Sequence, residues 1–363
     1  MSKVHLIIFI IFLIIVATIR IWLNQPITLP KNQPLKFEAT IKREPRIYDF
    51  SQVIYVADSR VYVDLYPRYR VGDRLLIEGT FDEKGRMFGA SVEKIGERSG
   101  LLRFRSELRD KISKNVSALL PSREATLVVG TVLGVDTIGK QFRDELIKTG
   151  TIHVVVVSGQ NLMIVAGIFL ALARYVGRRQ SMILAILAVF TYAFLTGFEP
   201  PVIRASIMVL VSSLAIFLGR EASVIFSLVI AALMIVLIWP QALFEVSFQL
   251  TFAATLGIIT LGQKLKEIFK KLPFLGENAA IATSAYLFTA PVILFYFSRV
   301  SPLAPIANIL VAEVVFPIMI LGFLIAFASL TFMPLAQVLA YFAYVPALYF
   351  SEVVRILATI QIF

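Results

Sequence analysis

Cysteine is absent from this 363-residue chain and histidine occurs twice, at His5 and His153. The first absence excludes disulfides, thiolate metal centres and cysteine catalysis; the second leaves too few imidazoles for a histidine-built dinuclear metal site. Charge is scarce as well, at 16% of residues against 58% hydrophobic, with a mean hydropathy of +0.81. Soluble domains carry about 25% charged and about 45–50% apolar residues, so this balance belongs to a polytopic α-helical membrane protein. No glycine-rich nucleotide-binding loop occurs. No cofactor or metal is expected, and energy for any transport must come from a partner.

What charge there is leans basic, with 35 Lys and Arg against 24 Asp and Glu, a formal net charge of +11. Cytoplasmic loops of membrane proteins collect such residues, so that explanation precedes a polyanionic partner. Val4–Leu23 is as long as the ~20 apolar residues needed for one crossing and shows no small-residue cleavage site. Residues 1–25 are therefore expected to be a retained anchor. Lys3 on its short side places the following block outside the cell membrane.

Residues 31–98 change character. Alternating apolar and polar positions in LKFEATIKR, SQVIYVAD, RVYVDLYP, RLLIEGTF and MFGASVEKI, with turn signals between them, predict five strands. Five short strands in so small a block point to an OB-like β-barrel. Such barrels stack nucleic-acid bases on aromatics beside basic side chains. Tyr62 and Tyr66, expected on one strand face, with Arg60, Arg68 and Arg70, are the residues for that role; ordinary sheet packing is the simpler reading of the tyrosines. The block holds thirteen basic and eleven acidic residues, so it is not a strongly basic patch.

Leu101, Phe104, Leu108, Ile112, Val116 and Leu119 follow helical spacing among basic residues, which predicts an interfacial amphipathic helix over 101–121 lying on the membrane surface. Residues 122–363 form a multi-span domain. Ala125–Val135 is apolar but too short to cross, and predicts a re-entrant or buried segment. Spans follow at about 153–173, 182–196, 202–218, 224–238, 246–261, 279–297, 305–330 and 335–363, the last two interrupted by Pro317 and Pro346. Counting from an outside barrel, the basic loops at Arg174–Arg179, Arg220 and Lys264–Lys271 all fall in the cytoplasm.

Within these spans, polar residues cluster where lipid-compatible sequence would have none. The stretch from Lys148 to Ala166 carries His153, Ser158, Gly159, Gln160 and Asn161. On a continuous helix His153 and Ser158 project about 140° apart, too far for a nucleophile and base, so no catalytic role is expected. His153 and Gln160 would share a helical face, and Ser158-Gly159 marks a point where the helix can unwind. Gly197, Pro200 and Pro201 break the next helix ahead of Arg204, which is either a partner of Glu199 or a cation lining a path for anions. Ser247, Gln249 and Thr251 follow, with Gly257 as a packing position, then Asn308 and Glu313.

Three of these strings, in this order, resemble the membrane competence domain of the ComEC family of DNA-uptake channels. They are Gly150-Thr151-Ile152-His153 through Val157-Ser158-Gly159; Leu195-Thr196-Gly197-Phe198 with Pro201, Arg204 and Ala205; and Phe248-Gln249-Leu250-Thr251-Phe252 with Leu256-Gly257. Ser301-Pro302-Leu303 to Ala307-Asn308 is similar as well. The resemblance covers roughly 122–360 and matches the family's anchor and OB-like arrangement before it. Gln160-Asn161 stands where many relatives carry an apolar residue and then His, and the sequence ends at Phe363 where many relatives continue into a metallo-β-lactamase-like domain, so strand degradation is expected to need another polypeptide or a longer parent chain. The resemblance implies passage of single-stranded DNA into the cytoplasm of a prokaryote during natural transformation. His153, Ser158, Gly159, Gln160, Asn161, Arg204, Gln249 and Asn308 would line the path. It further implies an extracytoplasmic DNA receptor, a cytoplasmic translocase or single-strand-binding protein, and a separate nuclease. A small-solute transporter and a membrane assembly protein are the other classes considered.

Overall fold

The computed structural model describes residues 32–41, 45–47, 50–56, 59–83, 85–97, 100–198, 200–217, 224–238, 240–271 and 275–360, with a few isolated positions before them. The anchor expected at Val4–Leu23 lies mostly outside the described residues, as does Glu199.

Among the described residues seven strands form the amino-terminal module: β1 Pro34–Thr40, β2 Arg46–Ile47, β3 Ser51–Val56, β4 Ser59–Asp64, β5 Asp73–Thr80, β6 Arg86–Met87 and β7 Ser91–Glu97. The five longer ones are those the alternation predicts. They make two sheets, β1-β5-β7 and β2-β3-β4-β6, over a core of Ile54, Val61, Leu75, Ile77, Phe81 and Met87. The expected closed barrel is not what these pairings build. Among the described residues the two sheets share only a single bridge, Phe81 to Met87, because β2 and β6 are two residues long and too short to carry a ladder round.

Among the described residues thirteen α-helices follow, beginning with α1 Leu101–Leu119, α2 Ser122–Leu133, α3 Lys140–Lys148 and α4 Ile152–Val155. Next come α5 Gly159–Ala171, α6 Ala173–Val176, α7 Arg178–Thr196, α8 Pro200–Phe217 and α9 Val224–Ile238. After a 3₁₀ turn at Pro240–Phe244 come α10 Val246–Phe269, α11 Gly276–Phe297, α12 Ala304–Thr331 and α13 Met333–Thr359. Six stretches among the described residues are long and apolar enough to cross a bilayer: Gly159–Val176 and the helices α7, α10, α11, α12 and α13. The chain is thus a polytopic helical membrane protein with a β-rich amino-terminal module. Pro317 and Pro346 do not interrupt α12 and α13, which run through them; a proline inside a membrane helix is tolerated where neighbours and local adjustment re-satisfy the freed carbonyl.

The module is joined to the helices through α1. Asp73, buried in the module, accepts from the Arg70 backbone N–H at 2.9 Å and pairs with Lys94 at 2.9 Å. Asp73 and then Glu97 hold Lys94 above its ordinary pKa, and Lys94 and then Arg103 hold Glu97 below its own. Arg103 of α1 pairs with Glu97, and Asp110 of α1 pairs with Arg70 at 3.0 Å. One flank of α1 therefore belongs to the module. The other packs on α2 and α12.

Candidate functional site

The twelve residues of α2 are nearly all buried, from Glu124 to Leu133, and the helix is too short to cross. It is the buried short segment that the sequence predicts. Ending inside protein leaves its last carbonyls without intrahelical donors, and other helices supply them. Asn161 donates to Thr131 O at 3.2 Å, Tyr192 Oη to the same oxygen at 2.8 Å, and Arg109 Nη2 to Leu133 O at 3.0 Å. A cation at this end also suits the helix dipole.

The second interruption lies against the first. Helix α4 stops at Val155, the chain is extended at Val156, and α5 begins at Gly159. Ser158-Gly159 is thus the point of unwinding. His153 and Gln160 consequently sit on different helices and share no face, since the continuous helix assumed for them does not form. The break is seated on two glycines of α2: a Cβ on Gly130 would meet Val155 O at 2.5 Å, and one on Gly134 would meet Val157 Cγ2 at 2.5 Å. Gly134 also adopts φ of 69°, which ends α2. Ser158 Oγ donates to Asn161 Oδ1 at 3.0 Å, bridging the break to the residue that serves Thr131.

The other motifs join here. The Cβ position of Gly134 is 3.5 Å from Thr196 Cβ at the end of α7, and that of Gly159 is 3.3 Å from Ala205 of α8. Pro200 and Pro201 open α8, where the missing N–H groups cost nothing. Arg204, 2% exposed, donates from Nη2 to Ser247 O at 3.0 Å and Thr251 Oγ1 at 2.8 Å, tying α8 to α10. Its described partners are therefore on α10. Gln249 lies on the same turn but donates to Leu243 O at 3.2 Å. Gly257 seats α11, since a Cβ there would run into Ser284 O and meet Phe288 Cγ at 2.9 Å. The fourth string closes on the first: Ser301 Oγ donates to Lys148 O, and Gly150 lies against Ala304. Asn308, four residues on, has a buried Oδ1 with no partner among the described residues. His153 is exposed, with Nδ1 3.0 Å from Gly150 O, and Gln160 is exposed beside the break.

On the β module, Tyr66 lies beyond β4 in a loop that Gln52 pins, donating from Nε2 to Asp64 O at 2.8 Å and Pro67 O at 2.6 Å. Tyr62 and Tyr66 therefore do not share a strand face. Tyr66 is 70% exposed with the Arg68 guanidinium 5.8 Å from its ring centroid. Tyr62 stacks on Phe88 at 4.5 Å, and Arg86, level with Arg60 in the sheet, lies 5.4 Å from the Phe88 ring.

Arg105, Arg109, Thr131, Tyr192 and Phe88 were not singled out by sequence. A signal existed for the arginines: positions 105, 109, 112 and 116 form their own stripe at spacings of four, three and four, and all are buried.

Interrupted helices meeting at a polar junction define the class, a membrane protein with irregular backbone among its spans. The family follows from comparison: the chain belongs to the competence protein family, whose pattern matches residues 132–363. It is similar to ComE operon protein 3 of Bacillus subtilis (strain 168), 26% identical over 214 residues that cover 56% of this chain and 26% of that protein. The match thus spans about a quarter of that relative's length. No solved structure matches the chain.

Proposed function

We propose that the chain forms a channel that carries single-stranded DNA through the prokaryotic cell membrane in natural transformation, with an OB-like module outside. The carrying observation is convergence: strings near residues 150, 197, 249 and 301 touch one another around two interrupted helices. Membership of the competence family supports DNA as the cargo class. Each phosphate of the strand is charged, so its path must be wet, polar and net positive. In this reading His153, Ser158, Gln160, Asn161, Arg204, Gln249 and Asn308 face the strand when the break opens. Tyr66 with Arg68, and Tyr62 with Arg60, take bases and phosphates on the module. The chain acts without a catalytic residue of its own, beside an outside DNA receptor, a cytoplasmic translocase or single-strand-binding protein, and a separate nuclease.

A DNA-import assay in cells deleted for the gene tests this. Import must fall to background and return with the intact gene; normal import in a strain with no second copy sinks the proposal. A small-solute carrier is the second reading, favoured by the same interrupted helices, which such carriers use around midplane sites. Proteoliposomes separate the two: nuclease-protected internal DNA supports the channel, and saturable uptake of a small solute supports the carrier.

A further inference from the structure

Arg204 is buried on α8, and the contacts of its guanidinium fall on one nitrogen. Nη2 donates both to Ser247 O, at 3.0 Å, and to Thr251 Oγ1, at 2.8 Å. Nε, on the same edge of the fork, is buried with no hydrogen-bond partner among the described residues. Glu245, exposed just ahead of α10, acts on the cation only through space. Neutral acceptors compensate a buried cation poorly. The acceptors, for their part, do not depend on Arg204. Thr251 Oγ1 donates to Ser247 O at 2.8 Å within α10, so both keep a hydrogen bond if the arginine withdraws, and neither is stranded. Among the described residues the hairpin's other side-chain ties to neighbouring segments are on α11, from Asn278 to Glu313 and from Tyr286 to Ser301. Withdrawal of Arg204 therefore frees the start of α10 to swing about α11.

We infer that Arg204 is a strand-operated latch: a phosphodiester takes the Nε–Nη2 edge of its guanidinium, Nη2 leaves Ser247 and Thr251, and the start of α10 parts from α8. This rests on the DNA-channel reading and adds how the path stays shut until a strand arrives. The Nε–Nη2 edge offers two parallel N–H groups to the paired non-bridging oxygens of a phosphodiester, a bidentate match that the one-nitrogen contact to α10 lacks. The Cβ position of Gly159 is 3.3 Å from Ala205, the next residue after Arg204, so the parting falls beside the break between α4 and α5. Hairpin and strand compete for one nitrogen, and linkage makes the competition reciprocal: whatever weakens the latch strengthens strand binding.

The absence of cysteine lets two spin labels report the spacing of α8 and α10 in the full chain in nanodiscs. Leu210→Cys and Leu256→Cys place them at exposed positions, one on each helix. Oligothymidylate should lengthen the distance between the labels by roughly 2–5 Å, the range of helix shifts in switching proteins. Arg204→Ala should show the longer distance without oligothymidylate and no further response to it. Should that chain fail to fold, Thr251→Val decides, because it removes one acceptor of the latch and leaves Arg204 in place. Dye-labelled oligothymidylate should bind the Thr251→Val chain about threefold tighter than the parent, the worth of one interhelical hydrogen bond. Equal or weaker binding means that Arg204 only braces the fold, and overturns the latch. Oligothymidylate that binds the parent chain without changing the spacing also overturns it and leaves the channel reading standing. No binding to the parent chain, together with intact import in the deleted strain, overturns both.

Discussion

The junction around α2 and the hairpin of α10 and α11 are both apolar and both polar-studded, yet they are held in opposite ways. In the most apolar 18-residue stretch of each helix, 39% of residues are buried against other protein in α7 and α12 and 22% in Gly159–Val176, against 11% in α10 and α11. The junction's polar groups answer backbone carbonyls left over by short helices. The hairpin's threonines mostly answer carbonyls of their own helix, as Thr255 does with Thr251 and Thr289 with Ala285. The hairpin meets the rest through side-chain ties of Arg204 to Ser247 and Thr251, Asn278 to Glu313 and Tyr286 to Ser301. The difference teaches that interrupted helices need a dense surround, whereas continuous helices can stand with lipid on most sides.

The largest expected effect comes from unseating the interruption. Gly130→Val sets two methyls against Val155 and should destabilise the junction by more than the 1–3 kcal/mol typical of overpacking, read as a lowered melting point in detergent and lost import. Gly257→Ala, an equally tight site in the hairpin, should cost about 1–3 kcal/mol locally and raise hydrogen exchange in α10 and α11 alone. If the two substitutions melt the whole chain equally, the contrast between the regions fails.

Arg204→Ala comes next. Interhelical hydrogen bonds in membranes are worth about 0.6–2 kcal/mol each, so the hairpin should loosen by about 1–3 kcal/mol, visible as protease cleavage near residues 240–271, while the α2 junction keeps its exchange protection. Smaller is Tyr192→Phe. It removes one of two donors to Thr131 O, and because Asn161 still serves that oxygen the loss should stay near 0.6 kcal/mol. Tyr192→Phe with Asn161→Ala should exceed the sum of the single losses, since the carbonyl is then stranded.

The smallest effect concerns the joint between module and helices. Glu97 has a lowered pKa, so its contribution is present above its unfolded value of about 4.3 and is lost as pH falls through the lowered one. Lys94 has a raised pKa, so its contribution is present below about 10.4 and is lost only as pH rises through the raised value. Limited proteolysis of the 97–101 connection should thus be flat between those limits and rise outside them; Glu97→Gln should remove the acid limb.

Helix and strand positions were legible because long apolar runs and period-two alternation are local properties. So was the weakness at Ser158-Gly159, and the shortness of α2. Sheet closure was not, because it depends on which edges meet, and β2 and β6 were too short to register. Nor was the inward flank of α1: the apolar stripe drew attention to Leu101 and Phe104, which are exposed, while Arg105 and Arg109 turn inward to meet the end of α2, whose Leu133 lies 24 positions beyond Arg109. Arg204 was singled out by polarity, but its partners on α10, 43 and 47 positions away, could be found only in space.

Helix α1 carries contacts to the β module and to the junction on opposite flanks, interleaved within eight positions from Arg103 to Asp110. In genetic terms this makes the segment a phase-locked spacer. Point changes at its outward sites, such as Lys111 or Lys114, leave the phase untouched, whereas one inserted codon between Arg105 and Arg109 swings all that follows by about 100°. Length changes in this family should therefore accumulate before Leu101 or after Leu119, and scarcely ever between them.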